Sequence, residues 1–364
     1  MKKTLLAILA TVAMVACSND EIVREAAPEA IGFDNAFVEN STRSVNDPSF
    51  TNTATGIFAD FAVYGYVENA VLFPGITVAK TINNDDLSST WKYGGTQYWV
   101  AGAKYNFAAI APKTNGGWTN ASTAVVDGNS AITTSFTFTN NGTTDLLYDE
   151  VENLPGKVSG NDAVGFDFRH ILSKVKFSFL NNYNVESAKI AVNSIKIENA
   201  YTTAEVALSN SATTWSNHSN TGLELVFGNA SDNEATEEKE NAADATYGCG
   251  KTYESLNERF LIPGAIPAVT GVDGITNAYK VTFLVDLYIN DVKVNATPYQ
   301  HTAYVEFTPV AGYAYDIKAE ITPANIDPSH AQEPIEFTVN TIGAWTENNI
   351  EAPGYEAPVT PDQN

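Results

Sequence analysis

Asp145 and Asp149 flank Leu146-Leu147-Tyr148, and two nearby carboxylates are the minimum equipment for general acid–base hydrolysis. The chain has 43 acidic residues, so such pairs arise by chance, and nothing around this one positions a substrate. His170 sits in the dense segment Phe168-Arg169-His170-Ile171-Leu172-Ser173-Lys174, where a capping or packing histidine at a strand turn accounts for it. Trp91, Tyr93, Tyr98 and Trp99 could form a stacking platform for a sugar, with Trp91 and Trp99 as its principal faces; core and sheet-surface aromatics are the competing reading. Cys249 lies in the turn-like Tyr247-Gly248-Cys249-Gly250 with no base beside it. There is no G-x-S-x-G, H-E-x-x-H, C-x-x-C or Walker loop. With four scattered histidines, no metal or cofactor is expected, and the chain does not read as an enzyme. Asn229 to Thr246, with Glu234, Glu237, Glu238 and Glu240, lacks the Asp/Asn spacing and glycine of a calcium loop and reads as a solvated loop.

Two residues near the start point to processing. Lys2 and Lys3 precede an apolar run from Thr4 to Ala16, too short to span a bilayer with margin. The run ends in Met14-Val15-Ala16-Cys17, which resembles the lipobox of bacterial lipoproteins. Residues 1–16 therefore read as a signal peptide, and the Cys17 thiol as the site of thioether attachment to diacylglycerol. The acidic Ser18-Asn19-Asp20-Glu21 that follows resembles a surface-export signal. Loss of Lys2 and Lys3 makes the mature chain still more acidic than the formal −23, and Cys249 is then without a disulfide partner in its own chain. Further on, Ser41-Thr42-Arg43-Ser44 offers a trypsin-like protease a clean cut between Arg43 and Ser44. Only 20 Lys and Arg occur in 364 residues, so a basic residue in an uncharged linker is conspicuous; Arg24, inside the tether, is the weaker alternative.

The elements that must position these residues are strands. Charged residues are 17%, below the usual quarter, and hydrophobic content is an ordinary 44%. The acidic balance excludes nucleic acid, whose phosphates demand Lys and Arg, and disfavours anionic lipid surfaces. Period-2 segments bounded by Gly, Pro, Asn and Asp begin at Ile31-Gly32-Phe33 and recur at 58–67, 97–111, 131–138, 164–168 and 172–180. They continue through 189–197, with one phase slip that suggests a bulge, then 203–208, 223–227, 260–263, 279–289, 302–309, 312–321 and 335–342. No window supports a long helix. The length suits two domains, and the pattern predicts an all-β sandwich architecture. The divide is expected within Leu154–Asp162.

Taken in order, these segments resemble the fimbrillin family of Bacteroidetes, the FimA/Mfa-like subunits of type V pili. The resemblance runs from Cys17, Ile31-Gly32-Phe33 and Thr42-Arg43-Ser44 through Phe61-Ala62-Val63-Tyr64-Gly65-Tyr66, Tyr98-Trp99 and Tyr105-Asn106-Phe107-Ala108-Ala109. Asp145-Leu146-Leu147-Tyr148 and Val164 to Val175 follow, then Gly312-Tyr313-Ala314-Tyr315, Ile335-Glu336-Phe337-Thr338-Val339 and Trp345. Residues 189–262 match only in style. The resemblance implies two transthyretin-like β-sandwich domains in tandem, about 31–160 and 161–346, after a lipidated tether at 17–30 and before a Pro-rich tail at 347–364. It implies a fimbrial lipoprotein at the outer membrane and cell surface, held to lipid through Cys17. Its partners would be other fimbrial subunits, an arginine-specific protease and a host or bacterial surface ligand. Cleavage after Arg43 would remove the strand at about Ile31–Val38, and a donor strand from another subunit would fill the groove. The donor candidate is Ile335–Trp345, with Ile335, Phe337 and Val339 alternating as a groove-filler needs. Stalk, tip and anchor roles are all compatible with this reading. The alternatives are a monomeric surface lipoprotein that binds glycan or host protein, and a hydrolase using Asp145 and Asp149.

Overall fold

A computed structural model describes residues 29–38, 58–82, 89–126, 130–157, 163–183, 185, 187–209, 212–228, 230–231, 247–248, 258–326 and 335–344. Cys17, Arg24, Arg43, Ser44, the loop glutamates at 234–240, Cys249, Trp345 and the Pro-rich tail lie outside these residues. The described chain is almost wholly β, as the alternation predicts, with one short helix, α1 (Pro323–Ile326).

Three sheets form it. The first has the order β1 (Phe33–Val38), β9 (Val164–His170), β8 (Leu147–Pro155), β5 (Lys104–Ala111), β2 (Asp60–Val67), β3 (Ala70–Ile82), β4 (Ser89–Tyr93). The second runs β14 (Tyr247–Gly248), β10 (Ser173–Asn181), β19 (Tyr313–Ile321), β20 (Phe337–Ala344), with β15 (Arg259–Leu261) also on β10. The third runs β17 (Val292–Lys293), β16 (Tyr279–Ile289), β11 (Ala188–Ser209), β7 (Ala131–Thr139), β6 (Trp118–Val126). There β18 (Tyr299–Val305) pairs with β16, while β12 (Ala212–Val226) and β13 (Ala230–Ser231) pair with β11.

Strand β7 shows why the pattern works. Ile132, Thr134, Phe136 and Phe138 are buried while their neighbours are not, the signature of a strand with one face on a core. Strand β5 differs, for Tyr105 to Ala111 are all buried. Tyr105, Phe107, Ala109 and Ala111 face one core, and Ala108 and Ile110 face another. A strand covered on both faces needs a continuous apolar run, and its alanines let both layers approach.

The third sheet bridges the molecule. The first part of β11 pairs with β16 and sends Ile190, Val192, Ile195 and Ile197 into the C-terminal core. Its last part pairs with β7 and sends Ala204, Val206 and Leu208 into the core beneath β5. The phase slip in this segment is a register shift between Asn193 and Lys196, with Ser194 at a φ of 55°. Only Ile171 and Leu172 separate β9, in the first sheet, from β10, in the second. The expected divide at 154–162 falls between β8 and β9, which share a sheet, so residues beyond 160 complete the N-terminal cores.

The two halves also repeat a local device. Val100-Ala101-Gly102-Ala103-Lys104-Tyr105 leads into β5, and Val310-Ala311-Gly312-Tyr313-Ala314-Tyr315 leads into β19. In each, the valine N–H donates to the tyrosine hydroxyl, at 2.7 and 3.0 Å. The glycines have φ of 75° and 74°, a left-handed turn that a Cβ would strain. The Val-Ala-Gly-x-x-Tyr repeat marks β5 and β19 as counterparts.

A fragment of residues 31–160 should therefore fail to fold cooperatively, because it lacks Phe166, Phe168, Val206 and Leu208. Poor amide dispersion in its NMR spectrum, beside a native-like spectrum for residues 29–364, is the expected outcome.

Candidate assembly site at the N-terminal strand

Residues 29–38 close the first sheet. Phe33 pairs with Val164 and Asp34 with Gly165 in a parallel ladder; after a register shift Phe37 meets Asp167 and Val38 meets Phe168. The residues just before β1 pair on the other side. Ala30 forms an antiparallel bridge with Tyr98, the Ile31 N–H donates to the Gln97 carbonyl at 2.7 Å, and the Trp99 N–H donates to the Glu29 carbonyl at 2.9 Å. The Val164 N–H donates to the Gly32 carbonyl at 2.8 Å. One short segment thus satisfies two backbone edges that would otherwise be open.

Its side chains plug the core. Ile31 and Phe33 are 1% and 3% exposed, on one face as period-2 geometry requires. The Phe33 ring lies 5.4 Å from Phe73 and Tyr93 and 6.0 Å from Phe107 and Phe166, mostly edge to face. Tyr93 also donates its hydroxyl hydrogen to the Ile31 carbonyl at 2.6 Å. At Gly65, across the sheet, a Cβ would stand 2.7 Å from Phe73 and 2.8 Å from Phe107, so only glycine lets those two rings floor the pocket. Burying Ile31 and Phe33 contributes roughly 1.5–3 kcal/mol each, before the hydrogen bonds are counted.

The donor candidate lies at an edge of the second sheet. Strand β20 is the outer strand of the second sheet, antiparallel to β19 with Phe337 opposite Ala319 and Val339 opposite Ile317. Ile335 is buried, and Phe337 and Val339 pack on the same core. Phe337 sits 5.8 Å from Phe177 and Phe283 and 6.0 Å from Phe179. The three side chains alternate inward as expected, filling their own domain.

The other candidates take structural positions. Trp99 is buried, 4.7 Å edge-on to Tyr105, and Trp91 stacks on Phe58 at 5.7 Å and meets Phe61 edge-on at 5.0 Å. Both belong to the core that Phe33 plugs, and only Tyr98 of that group is exposed. Asp145 and Asp149 take separate partners. Asp145 Oδ2 lies 2.6 Å from His170 Nδ1, and its Oδ1 accepts the Leu146 N–H at 2.8 Å. This pair sits where the chain crosses between halves, and the Ile171, Leu172 and Val310 carbonyls there accept from Trp215 Nε1, the Gly312 N–H and the Ser173 hydroxyl. Backbone pairing between β8 and β9 stops after Tyr148 and Arg169, and Asp149 Oδ2 bridges the split by accepting the Asp167 N–H at 2.8 Å. Burial raises the Asp149 carboxyl to about 6, outweighing that hydrogen bond and the nearby Arg169. Among the described residues no cluster of three or more His, Cys, Asp or Glu could hold a metal, and no described helix is long and apolar enough to cross a membrane. The contacts of Ile31 with Tyr93 and Gln97 join residues more than sixty positions apart, and no local pattern announces them.

Residues 42–345 match the family model described as fimbrillin-like. The chain belongs to the fimbrillin-like family. No curated protein matches it significantly. Among solved structures, a candidate cell adhesion protein from Bacteroides uniformis is 16% identical, covering 88% of this chain and 99% of its own, with a TM-score of 0.47. One from Bacteroides ovatus is 14% identical over 88% and 99%, with a TM-score of 0.43. A fimbrial assembly protein from Parabacteroides distasonis is 9% identical over 87% and 96%, with a TM-score of 0.41. The fimbrillin-like match begins at Thr42, beyond β1, so the closing strand precedes the matched region.

Two outcomes follow for this site. Tyr93→Phe keeps the ring but loses the hydroxyl bond, and should lower stability by about 1 kcal/mol in chemical denaturation. Asp149 has a folded pKa above its unfolded value, so its contribution is fully present below the ordinary carboxylate range and is lost as pH rises through about 6. Asp149→Asn retains an acceptor for the Asp167 N–H and should be about 2–3 kcal/mol more stable than the parent at pH 8, with the gap closing by pH 4 in paired denaturation curves.

Proposed function

We propose that this chain is a structural subunit of type V fimbriae, displayed at the cell surface and supporting adhesion, and assembled by protease-triggered strand exchange. Family membership supports the fimbrial role, and one observation carries the assembly step. Residues 29–38 are the segment that closes the N-terminal core, and in the sequence they lie between Cys17, the lipid-bearing residue, and Arg43.

The chemistry of the step is simple. Hydrolysis of the Arg43–Ser44 peptide bond by an arginine-specific protease cuts the covalent link between the closing strand and the body. The strand stays seated by its backbone pairing and by Ile31 and Phe33. A strand from another subunit then displaces it, pairing with β9 and with residues 97–99 and burying equivalent side chains. The exchange keeps every edge N–H and C=O satisfied at its end point, so assembly follows β-augmentation. The departing segment takes Cys17 and its lipid away from the body, which frees the subunit from the outer membrane. A copy left uncut at Arg43 keeps its lipid and serves as an anchor. The large acidic excess keeps such subunits soluble and discourages contact outside the groove.

The test is limited digestion of the lipid-free chain with an arginine-specific protease. Ser44 as the new N-terminus, together with polymers in size-exclusion chromatography and electron microscopy, is expected; Arg43→Ala should remain monomeric. Cleaved protein that has lost residues 29–38 yet stays monomeric would reject the reading.

A further inference from the structure

One side of the C-terminal core is closed without a backbone ladder. Among the described residues, β20 is the outer strand of the second sheet and pairs with β19, and β18 is an outer strand of the third and pairs with β16. These two strands approach each other but do not pair. Aromatic packing behind them holds the seam. Phe283 of β16 stands opposite His301 of β18 in the ladder, and the two rings stack at 5.3 Å with an interplanar angle of 20°. The same Phe283 ring meets Phe337 of β20 edge-on at 5.8 Å. Phe179 backs both, 5.4 Å from Phe283 and 6.0 Å from Phe337.

His301 is an odd residue to find there. It is 7% exposed, and its Nε2 is buried with no hydrogen-bond partner among the described residues. By contrast, His170 and His218 each reach an oxygen at 2.6 Å. No charge faces His301 to compensate for a proton. Lys280 and Asp286 of β16 alternate out of the core and pair with Glu198 and Lys293. Lys174 and Lys176 of β10, Asp316, Lys318 and Glu320 of β19, and Glu336 of β20 take outward positions by the same alternation. The titratable groups on the inward faces are the phenols of Tyr279, Tyr299 and Tyr315, and a phenol carries no charge in acid.

We propose that His301 is an acid-sensitive latch on the seam between β18 and β20: the neutral ring lets the two strands close over Phe283, and the imidazolium forces them to part. The device stands on the packing of the C-terminal core and needs nothing from the strand-exchange reading. In the imidazolium both ring nitrogens carry hydrogen, so Nε2 becomes a donor with nothing to accept from it. The face of Phe283 attracts a cation, but it covers one side of the ring and supplies no acceptor. Burial wins, and it holds the His301 imidazole below the ordinary histidine value. The folded chain therefore takes up this proton less readily than the unfolded one. The closure is fully present above about pH 6.5 and is lost as pH falls below it. Parting the seam brings water to Nε2 and removes the penalty.

Hydrogen exchange of the full chain, followed by mass spectrometry from about pH 7.5 to about pH 5 and corrected for the intrinsic exchange rate, reads the latch directly. Peptides covering β18 and β20 should open up to about tenfold more often per pH unit below about 6.5, the limit for one proton. Peptides covering β5 and β9 should show no such rise. His301→Phe keeps a ring on Phe283 and removes the proton site, so its β18 and β20 peptides should lose the acid response. An NMR titration of the histidine ring protons in the parent chain gives a second reading that does not depend on the variant folding, and His301 should titrate below the ordinary histidine value. Acid opening that persists unchanged in folded His301→Phe, or a His301 ring that titrates at or above about 6.5, would overturn the proposal.

Discussion

The unpaired edge of a β-sheet is the constraint from which the rest of this molecule follows. A strand at the end of a ladder offers N–H and C=O groups that must find water or another strand. Here β9 presents such an edge and residues 97–99, outside the named strands, present backbone groups of the same kind, and a single segment, residues 29–38, pairs with both. The aromatic core behind it is complete only while that segment is seated, since Phe33 touches four rings drawn from β3, β4, β5 and β9. Closure by residues 29–38 makes that core sound within a single chain.

The rest of the architecture resists being parted in the same way. β11 runs through two cores, and β9 passes into β10 across only two residues. Both halves are therefore tied by continuous strands as well as by packing. The hydrogen bonds on the Ile171, Leu172 and Val310 carbonyls, with the Asp145–His170 contact, pin the crossing. Residues whose types suggest catalysis or sugar stacking serve here to hold backbone at a junction or to fill a core, because an aromatic ring or a carboxylate–imidazole pair performs those tasks equally well.

Much of the fold is legible in the sequence because the side-chain period of a strand is local. Ile132, Thr134, Phe136 and Phe138 declare β7 without help from any other residue. The phase slip near Ser194 declares its bulge in the same way. Ile335, Phe337 and Val339 likewise state in advance that they share a face. The roles of Trp91 and Trp99 were not legible, since an aromatic in a strand reads the same whether its ring meets solvent, ligand or another ring.

What the sequence by itself determined is the β class, most strand positions and the family to which the chain belongs. What only the tertiary structure decided is which strands lie beside one another. It paired Ile31 with Gln97 and Tyr93, set Asp145 against His170, gave β5 two buried faces, and carried β9 and the end of β11 back into the N-terminal cores. The reason is physical. Alternation fixes which way a side chain points along its own strand, whereas the partner of a strand's edge is chosen by backbone groups that every residue has alike, and so is settled only when the whole set of edges is satisfied together.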